Sequence, residues 1–382
     1  MAKDGFKVLD SDLHVNEPHD LYMKYMDPKW GDRIPRAEYW KGLRVFHYYT
    51  ADGKPVRTSP HKENNHDSQP WKTAQKMSQN EEHRFQVGID RDFDPVSQVE
   101  AMDIEGIDYA VLFRTVPLHT DDSQEPEYAM ALCRAWNDWI TDFASYAPDR
   151  MKAAGLITLH DADLAVEEMR RIVTESNHIA VCMTPEPILG RQLPDPYFDI
   201  VWAEAEKLNI PVCFHPSFAP NQVHWANRFA SLPDCSWLQS CFDQPMENML
   251  AVAYFTACGI LERFPNLKVA FLEGNCSWLP WMLYRLDERY EYAARLGGMT
   301  QLSKKPSDYF LEQCFMSIDV DEYLGQDVIR RIGDDNLVFS TDYPHPDSHF
   351  PNSTSEFLKL EIPEKSKQKI LWDNCARLYN VF

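Results

Sequence analysis

The feature that most limits how this chain can fold is a beat of apolar strand and amphipathic helix, repeated eight times. Strand-like runs fall at 7–11, 109–113, 151–159, 178–183, 210–215, 267–273, 310–318 and 337–341. Between them 95–105, 127–146, 162–176, 197–208, 245–264, 277–296 and 321–332 carry helical spacing, and 363–379 reads as a closing helix pair. Near-continuous apolar strands belong to a parallel sheet whose outer face is covered by helices. Eight such units predict a (β/α)₈ TIM barrel rather than an open doubly wound sheet. The open sheet also lacks its glycine signature, because the first strand leads into Ser11-Asp12-Leu13-His14 instead of a Gly-x-Gly-x-x-Gly turn. One barrel domain over 1–382 is therefore expected.

Two segments fall outside the beat. The first, 25–91, is a long insertion after strand one; it holds a hairpin-like piece at 43–49, an Ala-Asp-Gly-Lys turn, a return at 55–58 and a polar run at 62–69. The second, 216–244, is a long loop carrying Trp225, Phe229 and Trp237. Long loops that follow barrel strands gather over the catalytic mouth, so each reads either as a lid or as a subunit contact.

Composition narrows the partners. With 59 acidic and 38 basic side chains the formal charge is −21, which repels phosphate backbones and anionic lipid. Nucleic acid and membrane surface are excluded as partners on that ground. No apolar run has the length of a transmembrane helix, and the start of the chain has no signal-peptide core. The nine cysteines are scattered with no Cys-x-x-Cys pair, as expected of reduced thiols in a cytoplasmic protein.

In a parallel barrel the strand ends converge on one mouth, so the residues there are the candidates for chemistry. Asp12, His14 and Glu17 follow strand one, His215 follows strand five, Glu273 strand six and Asp342 strand eight. Taken singly, each has an ordinary explanation as a cap or a hydrogen-bonded loop residue. His160, before Asp161 and Asp163, is read that way. Taken together, four carboxylates and two imidazoles at one mouth repel one another unless a cation holds them. Imidazole and carboxylate are ligands for Zn, Mn or Fe.

At this point the motifs carry a resemblance. Asp-x-His after strand one, Phe-His-Pro after strand five, Leu-Glu-Gly-x-x-x-Trp after strand six and Ser-Thr-Asp-Tyr-Pro-His after strand eight resemble the amidohydrolase superfamily. The likeness is to the amidohydrolase-related branch that includes aminocarboxymuconate-semialdehyde and γ-resorcylate decarboxylases, with 25–91 unmatched. The resemblance implies a metal-bearing barrel in which Asp12, His14, His215 and Asp342 are ligands. Two departures stand out: Asp12 occupies a place often taken by His or Glu, and Glu273 one where several decarboxylases have His. No lysine ends strand four, so the carbamylated-lysine bridge of binuclear hydrolases is missing.

The function expected is hydrolysis or decarboxylation of a small hydrophobic or aromatic carboxylate, by metal-activated water or substrate polarisation. Asp342, Glu273 and His345 are the expected proton carriers, and Arg114 either clamps a substrate carboxylate or pairs with one of the many acids. Phe113, Phe218, Trp225, Trp237, Trp278 and Tyr343 are the expected walls of the site. The rival reading is a two-iron oxygenase on the same barrel, because Glu17 and Glu273 would complete a carboxylate-rich ligand set. The position of Glu17 separates one metal from two. A homodimer is expected by resemblance.

Overall fold

The computed structural model describes residues 3–40, 43–55, 82–115, 122–216, 238–297 and 302–381. The barrel strands are β1 (Leu9–Val15), β4 (Tyr109–Arg114), β5 (Met151–Leu156), β6 (Ala180–Met183), β7 (Val212–Phe214), β8 (Val269–Phe271), β9 (Cys314–Ile318) and β10 (Leu337–Phe339). They form one sheet in the order β1-β4-β5-β6-β7-β8-β9-β10, and every pairing is parallel. The strands are buried almost throughout, as continuous apolar runs require. The fold is the (β/α)₈ barrel that the sequence predicts.

The helices, in chain order, begin with α1 (Leu21–Tyr25), α2 (Gln86–Ile89), α3 (Pro95–Glu105), α4 (Pro126–Ala144), α5 (Ala162–Thr174), α6 (Asp199–Leu208) and α7 (Leu238–Ala257). They continue with α8 (Ile260–Arg263), α9 (Leu279–Leu296), α10 (Pro306–Gln313), α11 (Gly325–Ile332), α12 (Ser353–Leu358), α13 (Glu364–Gln368) and α14 (Asn374–Tyr379). Their ends follow local chemistry. Asp94 caps α3 by accepting from Ser97 N at 2.8 Å, and Gly106 stops it in the left-handed region at φ +78°. Asp161 caps α5 by accepting from Leu164 N at 2.9 Å, so the acid beside His160 has the capping role expected of it. Trp136 and Trp139 on α4 are core residues. Glu168 on α5 is fully buried but neutralised, receiving hydrogen bonds from Asn137, Arg134 and Arg171.

Three local expectations are corrected. The 43–49 segment pairs mainly backwards: β3 (Leu43–His47) lies antiparallel to β2 (Arg36–Trp40), and forward pairing is one bridge, Tyr49 to Pro55. Phe310, read as strand, belongs to α10, which runs straight into β9 at Cys314; no Gly or Pro marks the change, only Glu312 and Gln313. Pro245, read as a helix start, lies inside α7, whose beginning at Leu238 is seven residues earlier. A proline there removes one helical hydrogen bond, and the packing of the helix outweighs that loss. Most of the lid-like 216–244 segment, and 56–81 of the insertion, fall outside the described residues. No helix among the described residues is long and apolar enough to cross a membrane.

Candidate metal centre

The donors come from three strand ends. β1 is longer than the sequence suggests, so Asp12 and His14 lie within it and not after it. Both are buried, and so is His215, just past β7. His14 Nε2 lies 3.5 Å from Asp12 Oδ1, 3.2 Å from Asp342 Oδ1 and 3.2 Å from His215 Nε2. His215 Nε2 lies 3.8 Å from Asp12 Oδ2. Two sets of donor atoms are mutually close enough to share an ion: Asp12 with His14 and His215, and His14 with Asp342 and His345. His14 Nδ1 sits 2.6 Å from the Arg114 carbonyl oxygen. A carbonyl only accepts, so Nδ1 carries the proton and Nε2 turns its lone pair toward the cluster.

Electrostatics supports a cation at this point. Both Asp12 oxygens are buried without a hydrogen-bond partner, as is Asp342 Oδ1. Burial pushes the Asp12 carboxyl well above its usual range, and the Glu273, Asp342 and Asp10 charges push it further. Burial and the facing His345 and His215 hold His14 well below the usual histidine value. Acids that resist ionising beside an imidazole that stays neutral form a site that a divalent ion would stabilise. Two carboxylates and two imidazoles also fit such an ion chemically. Asp342 and Glu273 both adopt left-handed backbone, at φ +58° and +51°, a conformation that costs about 1–2 kcal/mol outside glycine and gathers at functional sites.

The other candidates divide. Glu273 reaches the edge of the cluster, with Oε2 2.6 Å from His215 Nε2 and Oε1 4.0 Å from His345 Nδ1, but it belongs to neither donor set. Gln244 donates to Glu273 Oε1 at 2.6 Å, a contact for which the sequence gave no signal. His345 Nδ1 lies 2.9 Å from Asp342 Oδ1, and its ring lies against that of His14 with centroids 4.0 Å apart. Burial opposes protonation of His345, yet the facing Asp342 and Glu273 raise its pKa. Glu17 is not brought to the cluster. Its Oε1 accepts from Thr115 N and from Trp136 Nε1, both at 3.1 Å, so the end of β4 and the α4 core hold that carboxylate. The second-metal role read for Glu17 is corrected accordingly.

Arg114 ends β4 with a side chain only 4% exposed, in a small cavity lined also by Leu156, Thr158, Cys182, Met183 and Thr184. Its Nη2 is buried with no partner, and among the described residues no acid pairs with the guanidinium. Its charge helps to hold the Glu273 carboxyl below its usual range, without an ion-pair contact between the two.

Of the expected aromatic walls, three fall on described residues, and none of those three lines the cleft beside Glu273 and Asp342. A cleft of about 730 Å³, solvent at its mouth included, opens beside Glu273 and Asp342 and is lined by Asp319, Asp321 and Asp347. Val320 is its only apolar lining residue among those described. Phe113 is fully buried, its ring 6.0 Å from that of His215, and Tyr343 packs between Phe85 and Phe350. The Trp278 indole donates to Gly274 O at 2.7 Å. These rings are used in packing. Phe218, Trp225 and Trp237 lie outside the described residues.

A family model described as amidohydrolase matches residues 16–381. The chain belongs to the amidohydrolase family. It is an enzyme of that superfamily, in the amidohydrolase-related branch that includes decarboxylases. The 2-amino-3-carboxymuconate-6-semialdehyde decarboxylase of Dictyostelium discoideum is 25% identical over 283 residues, 74% of this chain and 75% of that protein. The γ-resorcylate decarboxylase of Rhodococcus jostii (strain RHA1) is 25% identical over 299 residues, 74% of this chain and 87% of that one. Among solved structures, an amidohydrolase of Mycobacterium avium subsp. paratuberculosis superposes with TM-score 0.73 at 20% identity, over 99% and 98% of the two chains. The 5-carboxyvanillate decarboxylase of Novosphingobium aromaticivorans, complexed with manganese, superposes with TM-score 0.69 at 17% identity, over 99% and 97%. These relatives give the two-iron oxygenase reading no support.

Proposed function

We propose that this amidohydrolase is a divalent-metal-dependent decarboxylase of a small aromatic or conjugated carboxylate. The observation that carries the reading is the convergence of Asp12, His14, His215 and Asp342 from three strand ends, within 3.8 Å along every contact named above. The decarboxylase relatives supply the reaction class. These four residues would hold the ion, and the manganese of the structural relative, with a mixed carboxylate and imidazole set that suits it, supports Mn(II).

A divalent ion held there would supply positive charge that binds and polarises an oxygen of the substrate. Arg114 offers its planar fork to the substrate carboxylate from a small pocket at the end of β4. The bond from the substrate carbon to the carboxylate breaks, the electron pair stays on that carbon, and CO₂ leaves. One proton is needed to fill the vacated position, and the Asp342–His345 pair holds it, with 2.9 Å between Oδ1 and Nδ1. Glu273, fixed between His215 and Gln244, returns a proton to His345 from the cleft. The same reading takes the protein as a cytoplasmic homodimer acting on a small molecule; free described cysteines, most of them buried, support the compartment.

The test is elemental analysis of protein purified without chelator, followed by a CO₂-release assay on a panel of hydroxybenzoates and conjugated dicarboxylates. Metal-dependent release is expected, with His215→Ala and Asp342→Asn each losing the metal and at least about 10³-fold in turnover while keeping native circular dichroism. A metal-loaded protein that cleaves esters or amides but releases no CO₂ from any acid would overturn the decarboxylase assignment.

A further inference from the structure

The two strands that carry three of the four metal donors stand at opposite ends of the sheet order. Among the described residues no ladder joins β1 to β10. Here the barrel closes through one backbone hydrogen bond, His14 N to Tyr343 O at 2.7 Å, and through side chains. Ser11 Oγ donates to Phe339 O at 2.6 Å, Ser340 Oγ to Asp12 O at 3.2 Å, and Tyr379 OH to Ser11 O at 2.7 Å. On its other edge, against β4, β1 is irregular: Asp10 pairs with Ala110 and Leu13 with Leu112, so three steps on β1 face two on β4. The extra residue leaves backbone groups near Asp12 without a ladder partner.

Asp10 fills that gap. Wholly buried, it accepts from Asp12 N at 3.1 Å and from Thr341 N at 3.3 Å through Oδ1, and from Thr341 Oγ1 through Oδ2. One carboxylate therefore grips the backbone of one ligand, Asp12, and the residue immediately before another, Asp342. Asp342 is also the ligand held in the left-handed region.

We propose that Asp10 is a positioning residue for the metal centre, fixing the separation of Asp12 and Asp342 across a seam that the backbone joins by the His14–Tyr343 hydrogen bond and no ladder. It does not touch the ion; it acts through Thr341 and the backbone of Asp12. The inference rests on the metal reading of the cluster. Partners of this kind behind metal ligands typically change metal affinity by about 10–100-fold when removed.

The experiment measures Mn(II) dissociation constants of apo-protein by titration, with thermal melts of the same apo samples. Asp10→Ala and Thr341→Val are expected to weaken Mn(II) about 10–100-fold. Asp10→Asn is expected to stay within about threefold of wild type, because its carbonyl oxygen still accepts from both N–H groups. Ser11→Ala removes a seam hydrogen bond attached to neither ligand's grip, so it should lower the melting temperature and leave Mn(II) affinity unchanged. Should Asp10→Ala fail to fold, Thr341→Val carries the test. The inference is overturned if Thr341→Val binds Mn(II) like wild type, or if Ser11→Ala weakens binding as much as Thr341→Val. A wild-type protein that takes up no Mn(II) overturns the metal reading first, and this inference with it.

Discussion

At the residue scale Arg114 is the most informative side chain. Among the described residues no acid lies within ion-pair distance of this buried guanidinium, and replacing such a group with an apolar one is often neutral or stabilising. Arg114→Met should therefore raise the melting temperature of the substrate-free protein while raising KM for a carboxylate about 100-fold, the scale of one buried charge-assisted contact. Melts and steady-state kinetics on the same preparation read both; unchanged KM would remove Arg114 from the site. Glu17 makes the opposite case. Because the amide oxygen of a glutamine can still accept from Thr115 N and Trp136 Nε1, Glu17→Gln should keep one metal per chain and activity within about threefold. A drop from two metals to one, read by elemental analysis, would restore the two-metal reading. The four candidate ligands were legible in sequence because they lie in or just after strands of one barrel. Glu17 was misplaced by the same rule, since position near a strand end does not say which neighbour claims the carboxylate. Asp10 was not singled out in the sequence, because its contacts depend on an irregular strand pairing that no spacing reveals.

At the element scale the strand and helix alternation was readable because burial on both faces writes continuous apolar runs. Boundaries were lost where the chain crosses from helix to strand with no Gly or Pro, as at Phe310–Cys314, and where packing overrides a breaker, as at Pro245. The join of α4, β5 and β6 carries a pH prediction. His178, just before β6, has Nε2 2.8 Å from Thr141 Oγ1, and that hydroxyl already donates to Asn137 O. Nε2 must then hold the proton, leaving Nδ1 bare, buried and unpartnered over Gly155, where an added Cβ would lie 2.6 Å from it. Burial, then the nearby Arg171 and Lys152 charges, push the His178 pKa from 6.5 down to about 3. The unfolded chain binds this proton first, so the stability His178 contributes is full above the unfolded pKa and is lost as pH falls toward the folded one. His178→Gln retains a donor for Thr141 and cannot titrate. It should match wild type within about 1 kcal/mol near neutrality and become the more stable of the two as pH drops below about 6. A wild-type-minus-variant melting difference that stays flat over that window would contradict the assignment.

At the scale of the whole molecule the charge of −21 and the chemistry of the site pull in opposite directions. A decarboxylase substrate arrives as an anion. Close to the ligands it meets Arg114 and the ion that the cluster would hold, both attractive. Farther out it meets a molecule with a large acidic excess and a cleft bordered by Asp321 and Asp347, all repulsive. Salt separates the two contributions by range. Raising ionic strength from about 0.02 to 0.2 M shortens the screening length from roughly 20 Å to 7 Å, which weakens the distant repulsion and leaves the desolvated inner contacts nearly untouched. The value of kcat/KM for a carboxylate should therefore rise with salt, by about two- to fivefold, with kcat little changed because the effect acts on approach. An uncharged competitive ligand should show no such trend. If kcat/KM instead falls with salt, the positive interior governs approach and the acidic exterior plays no part in how substrate arrives.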